Sequence, residues 1–140
     1  MAFIEWTPKF SVGSQVLDQQ HKALIAIINE LHAAMLRGGL KEDVQKIFLG
    51  LVSYTESHFK AEERIMERCG YPHLSAHRLK HVEFVQKARG LQADLLAGKF
   101  TVSMDLLRFL KNWLSEHILG TDQQYVPFLN PEVSSSASRT

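Results

Sequence analysis

The spacing of apolar residues is the feature that most constrains the fold of this chain. Apolar residues recur at intervals of three and four in four segments, and each segment is bounded by a turn or helix-stop signal. This pattern is typical of amphipathic helices that bury one face. Because short connections make successive helices antiparallel, we expect an all-α fold, an up-down-up-down antiparallel four-helix bundle.

The turn signals set the expected helix boundaries. The first helix is predicted to open with Asp18 as its N-cap and to end near Arg37, after an irregular N-terminal arm over residues 1–17. The other three helices are predicted over residues 41–68, 73–97 and 102–119. We assign residues 1–130 to the bundle, and the small, polar segment 131–140 is predicted to be a disordered C-terminal tail.

Composition and charge exclude several classes of protein. A chain of 140 residues with 45% hydrophobic content fits one domain. Its net charge of +1 and the lack of a basic run argue against a nucleic-acid partner. The sequence shows neither a secretory signal nor a membrane-length apolar run, so we expect a cytoplasmic protein without membrane insertion.

Histidines interrupt the apolar faces in the stretch "HFKAEERIMERCGYPHLSAHRLKH" (58–81) and beyond it. Side chains four residues apart share one face of a helix, as His58 does with Glu62 on the second helix. Each predicted helix contributes at least one inward imidazole: His21, His58, His77, His81 and His117.

These imidazoles are predicted to meet at one end of the bundle. His21 lies near the start of the first helix and His58 near the end of the second, while His77 begins the third and His117 ends the fourth. Taken singly, each could be a core histidine bonded to a backbone carbonyl. Buried together, their unpaired polar groups would cost roughly 1–3 kcal/mol each, a cost that a metal removes.

Asp122 joins this site only if the fourth helix changes its geometry. Five residues after His117, a regular helix would carry Asp122 about 140° away from it. We therefore expect a wide turn or bulge within "HILGTDQQY". The alternative makes Asp122 a helix cap or a solvated turn residue.

The motifs around these residues resemble the hemerythrin family, most closely its stand-alone bacterial members, the bacteriohemerythrins. They are "DQQHKAL", "HFKAEERIM", "HRLKH" and "WLSEHILGTD", and the resemblance extends from Trp6 to about Leu129. It implies a four-helix bundle that encloses two non-haem iron ions joined by an oxo or hydroxo bridge. The implied ligands are His77, His81 and His117 on one iron, His21 and His58 on the other, and Glu62 and Asp122 as bridges.

Counting these donors leaves one octahedral position open, on the iron held by His21 and His58, where O2 would bind. The expected function is reversible O2 binding by a carrier, buffer or delivery protein that is not an enzyme, with O2 and an O2-consuming client protein as partners. Only two carboxylates accompany the irons, fewer than in ferritin-like sites, and this ligand set favours a carrier over an oxygenase. Apolar side chains are expected to form the second shell or O2 pocket: Leu24, Ile25, Ile28, Trp113, Leu114 and Ile118.

Alternatives remain at this stage. The same centre could serve a redox enzyme acting on peroxide, nitric oxide or iron, or an O2 or redox sensor. Imidazole and carboxylate also suit zinc or manganese, although a structural zinc site is usually tetrahedral and closed. His32 lies too far along the first helix to join the site, and His73, Glu63 and Glu67 are expected to lie outside it, the glutamates in solvent.

Overall fold

Four long helices form the bundle in the computed structural model, which describes residues 3–38, 41–98 and 104–129. They are α1 (Gln15–Leu36), α2 (Lys41–Arg68), α3 (Leu74–Leu96) and α4 (Met104–Glu116). A π-helical turn (His117–Thr121), a 3-10 turn (Asp122–Tyr125) and a short helix α5 (Val126–Leu129) continue α4. The described ranges contain no strand, and α1 packs on α2 and α4 while α2 packs on α3. The all-α bundle is confirmed.

The predicted boundaries agree with the structure for α2 and within one residue at each end for α3. The predicted start of the fourth helix at residue 102 and the predicted tail over residues 131–140 lie outside the described residues. None of the described helices combines the length and apolar character needed to span a membrane.

The predicted start of α1 was wrong. Ser14 is the N-cap, and its hydroxyl accepts a hydrogen bond from the Leu17 N–H. Asp18 instead lies in the first turn, where its carboxylate accepts bonds from the Val12 N–H at 2.8 Å and the Ser11 hydroxyl at 2.6 Å. The carboxylate therefore satisfies donors in the preceding arm, and the helix begins one turn earlier.

The N-terminal arm is fixed along α1. The side chain of Asn29 accepts a bond from the Ile4 N–H and donates one to the Ile4 carbonyl, both at 2.8 Å. The Phe3 ring stacks on His32 with ring centroids 4.3 Å apart. His32 thus packs the arm instead of joining the inward-facing histidines.

A left-handed glycine ends α2 and sends the chain back as α3. Gly70 has a φ of +70°, which other residues rarely adopt. The Tyr71 N–H bonds to the Met66 carbonyl at 3.0 Å, and the Gly70 N–H bonds to the Glu67 carbonyl at 3.2 Å. This tight reversal brings the first turns of α3 beside the last turns of α2.

Two apolar clusters divide the interior. The larger one fills the body of the bundle and includes Leu24, Leu51, Phe84, Leu110 and Leu114. The smaller one, called here the closing cluster, consists of Val12, Leu17, Met66, Tyr71 and Tyr125. Along α1, Leu17 of the closing cluster and Leu24 of the larger cluster flank His21, so that a polar layer lies between the two.

Candidate metal centre

Seven polar side chains form this layer, each no more than 5% exposed. They are His21, His58, Glu62, His77, His81, His117 and Asp122. The structure therefore brings together all seven residues that the family resemblance implies as ligands. Apolar clusters on both sides separate them from bulk water.

Five of these residues form a first group in which the potential ligand atoms all lie within 4.8 Å of one another: Glu62, His77, His81, His117 and Asp122. Bonds of about 2.1 Å to a first-row metal would put adjacent octahedral ligands about 3.0 Å apart and opposite ones about 4.2 Å apart. Nε2 of His81 lies 3.0 Å from Nε2 of His117 and 3.0 Å from Oε1 of Glu62. Oε1 of Glu62 and Nε2 of His117 are 4.0 Å apart. The spacings match neighbouring and opposite ligands of one ion.

The two remaining histidines form a second group around the other carboxylate oxygens. Nε2 of His21 and Nε2 of His58 each lie 3.5 Å from Oε2 of Glu62. The two oxygens of Asp122 also face different groups. Oδ1 lies 3.1 Å from Nε2 of His77, and Oδ2 lies 3.3 Å from Nε2 of His21. Because each carboxylate presents one oxygen to each group, the arrangement fits two metal ions joined by two carboxylate bridges.

The π-helical turn brings Asp122 to this layer, and the predicted irregularity is confirmed. The Asp122 N–H bonds to the His117 carbonyl, five residues earlier, where a regular α-helix would bond four residues apart. The wider turn brings the two side chains onto one face, with Nε2 of His117 and Oδ1 of Asp122 3.1 Å apart. A Cβ atom at Gly120 would meet no atom within 4 Å, so close packing at this glycine does not cause the turn.

Unpaired polar atoms show that the layer fits a metal. Both ring nitrogens of His21, Nδ1 of His77 and both carboxylate oxygens of Asp122 are buried and make no well-aligned hydrogen bond, although Asp122 lies 3.1–3.3 Å from neighbouring imidazole nitrogens. Buried polar atoms are nearly always hydrogen-bonded, so such a concentration needs an explanation. Imidazole and carboxylate donors suit first-row metals, and the cluster is consistent with a di-iron centre.

Without a metal, the carboxylates hold protons on the imidazoles. Burial alone would lower the pKa of His21 and of His77, but the neighbouring Asp122 and Glu62 raise each pKa to about 9. Burial would raise the pKa of Glu62, yet the surrounding imidazoles hold it well below its usual range. Protons therefore occupy the layer at neutral pH and must leave when a metal binds.

Three further contacts, none of them predicted from the sequence, hold the layer from outside. His58 donates from Nδ1 to Oε1 of Gln20 at 2.6 Å, and the Tyr125 hydroxyl donates to Oε2 of Glu62 at 2.9 Å. Glu63, which was expected to be solvated, accepts a bond from Nδ1 of His81 at 2.8 Å, and its side chain is only 18% exposed. The adjacency of Gln20 to His21 and the position of Tyr125 one turn after Asp122 were the available signals.

A small apolar cavity of about 20 Å³ lies one helical turn inward from the layer. Among the residues expected to form an O2 pocket, Leu24, Ile28, Trp113 and Leu114 line it. The other two, Ile25 and Ile118, are buried in the larger cluster.

The cavity lies close to the histidines, since the Trp113 ring stacks on His117 at 4.5 Å. A second cavity of about 10 Å³ continues away from the layer and shares four lining residues with the first: Leu51, Thr55, Phe84 and Leu110. An apolar space thus adjoins the candidate metal layer.

Comparison with known proteins gives one consistent family. The model of the hemerythrin HHE cation binding domain matches residues 12–129. A bacteriohemerythrin of Stenotrophomonas maltophilia (strain R551-3) is 37% identical over 128 residues, which cover 89% of this chain and 80% of that protein. A bacteriohemerythrin of Methylococcus capsulatus is 34% identical over 131 residues, covering 93% of this chain and 99% of that protein.

A solved structure agrees with the sequence matches. Wild-type hemerythrin superposes with a TM-score of 0.87 at 33% identity, over 91% of this chain and 98% of that one. The relatives cited are named as hemerythrins and not as enzymes.

Proposed function

This chain belongs to the hemerythrin family, and on that premise we propose that it binds O2 reversibly at a non-haem di-iron centre. Its role would be that of an oxygen carrier, buffer or delivery protein, with an O2-consuming client protein as the recipient. The expectation that it is not an enzyme agrees with the names of its relatives.

The unequal number of imidazoles in the two groups is the observation that carries the proposal. His77, His81 and His117 would hold one iron, and only His21 and His58 would hold the other. Glu62 and Asp122 would join the two, since each directs one oxygen to each group. The second group thus has one side-chain donor fewer than the first.

When bound, two ferrous ions supply the two electrons that reversible O2 binding needs. The side chains that line the neighbouring cavity would keep water away from this chemistry. Leu24, Ile28 and Leu114 present only hydrocarbon to the neighbouring cavity. Thr55 is the one hydroxyl in the cavity wall, and it donates to the Leu51 carbonyl at 2.7 Å, which occupies its proton.

The enzyme and sensor alternatives are not favoured. A redox enzyme acting on peroxide or nitric oxide needs a proton supply at the reacting atoms. The wall of the adjoining cavity is almost entirely apolar, its one hydroxyl donates to the Leu51 carbonyl, and the Tyr125 hydroxyl in the layer already donates to Glu62. The relatives named above also give no support to an enzymatic role.

Exposure of the reduced, iron-loaded protein to O2 and then to argon tests the proposal. We expect a visible charge-transfer band that forms with O2 and disappears under argon. Absorption and resonance Raman spectra would detect it. A band that never forms, or a change that argon does not reverse, would count against a carrier. Glu62→Ala should lose the iron and the band, whereas Glu67→Ala, at an exposed position on the same helix, should keep both.

A further inference from the structure

The geometry points to Glu63 as a positioning residue that holds His81 in its ligating orientation and strengthens it as a donor to the metal. This inference rests on the di-iron site proposed above. It concerns a residue outside the seven proposed ligands, on the outer side of the imidazole.

The proton of His81 must lie on the nitrogen that faces Glu63. Nε2 of His81 points into the layer, 3.0 Å from Oε1 of Glu62, and needs its lone pair to bind a metal. Nδ1 then carries the proton and donates it to Oε2 of Glu63 at 2.8 Å. The Phe59 ring stacks on His81 at 3.8 Å with an interplanar angle of 1°, which restricts rotation of the imidazole.

Glu63 is itself held in place from the opposite side. Nε of Arg78 donates to Oε1 of Glu63 at 3.0 Å, which leaves Oε2 for His81. The carboxylate therefore has one fixed partner for each oxygen. A carboxylate behind a ligating histidine fixes the tautomer and ring orientation and raises the basicity of the ligand.

The other side of the site has a neutral partner in the equivalent place. His58 donates from Nδ1 to the side-chain amide oxygen of Gln20 at 2.6 Å. An anionic acceptor increases electron donation by an imidazole more than an amide does, because it stabilises positive charge on the ring. Glu63 should therefore favour the ferric state on the side that His81 serves.

Three variants separate orientation from charge. Glu63→Gln keeps an acceptor but removes the charge, whereas Glu63→Ala removes both. Glu67→Gln removes the same charge one turn further along α2, at an exposed position, and serves as the control. Midpoint potentials would be measured by anaerobic spectroelectrochemical titration of the iron-loaded proteins, and metal release by transfer of Co²⁺ from cobalt-loaded proteins to a chelator.

We expect Glu63→Gln to retain both irons and to weaken the preference for ferric over ferrous iron about tenfold, or ~59 mV upward for a one-electron step. Glu63→Ala should in addition release cobalt about 10–100-fold faster. Glu67→Gln should change neither quantity by more than about twofold.

Equal potential shifts in Glu63→Gln and Glu67→Gln would overturn the inference, because they would show a general effect of charge. Cobalt release from Glu63→Ala at the wild-type rate would overturn the positioning role. Irreversible oxidation of the wild-type protein in air would refute O2 carriage alone, since the potentials and release rates would still test Glu63. Should Glu63→Ala fail to fold, the contrast between the two glutamine variants decides.

Discussion

Removal of the Tyr125 hydroxyl would measure how firmly the chain holds Glu62 when no metal is bound. Tyr125 is fully buried, and its hydroxyl donates to Oε2 of Glu62 at 2.9 Å. Burial and the charges of Glu62 and Asp122 raise the pKa of Tyr125 far above its usual range, so the hydroxyl remains a donor wherever the protein is folded. Tyr125→Phe removes this donor and leaves the ring, which contacts Tyr71, in place.

The expected loss follows from the burial of both partners. A hydrogen bond to a charged group contributes about 1.5–3 kcal/mol, and water cannot replace the donor because Glu62 is completely buried. We expect the free energy of unfolding of the metal-free protein to fall by about 2 kcal/mol. With a urea m-value of about 1.5 kcal/mol/M, the unfolding midpoint would fall by about 1.3 M.

Urea denaturation of the metal-free protein, followed by circular dichroism, provides the measurement. Tyr71→Phe is a matched control, because Tyr71 is 6% exposed, belongs to the same closing cluster and makes no hydrogen bond through its hydroxyl within the described residues. The control should change stability by less than about 0.5 kcal/mol. Equal midpoints for the two variants would refute the reasoning, because the hydroxyl bond to Glu62 would then contribute nothing.

Three further predictions concern the metal layer. Because the folded pKa of His21 and of His77 is about 9 against an ordinary 6.5, their stabilisation of the metal-free protein is complete below pH 6.5 and is lost as pH rises through 9. Urea midpoints should fall across that window, and a rise would contradict the assignment. His77→Ala should abolish di-iron binding, whereas His73→Ala, at an exposed position, should keep the wild-type iron content. Metal analysis of the two purified variants measures the difference. Leu114→Ser should lower the free energy of unfolding by about 2–5 kcal/mol, because it shortens a buried side chain and places a hydroxyl in the cavity wall. It should also speed autoxidation, which is measured from the absorption spectrum in air. An unchanged autoxidation rate, equal to that of Leu96→Ser at a 67% exposed position, would show that the cavity does not protect the site.

Helical periodicity and antiparallel order were enough to predict the layer itself. His58 and Glu62 share a face because they are four residues apart, and His21 reaches the same height because α1 and α2 run in opposite directions. For Asp122, the five-residue interval after His117 left two alternatives, a site residue beyond an irregular turn or a helix cap, and the family resemblance favoured the first; the structure contains the turn. Local spacing and chain direction carry the information for the imidazoles and Glu62, so the sequence reveals their convergence.

Contacts between helices were harder to predict. Glu63 looked solvated because Glu62 takes the inward position, yet its side chain reaches sideways to His81 on α3. The rotamer that makes this contact depends on how closely the helices pack, which periodicity does not specify. The same holds for Asp18, where bonds to the arm decided between a cap and a first-turn residue.

The π-helical turn also determines where this chain tolerates a change of length. A π turn contains one residue more than an α turn, so removal of one residue between His117 and Asp122 would restore an interval of four on a regular helix. The two side chains would again share a face. Deletion elsewhere in α4 would rotate everything beyond it by about 100° and separate the histidine from the rest of the layer. The turn is therefore a place in this last segment where deletion of a single residue is compatible with an intact site.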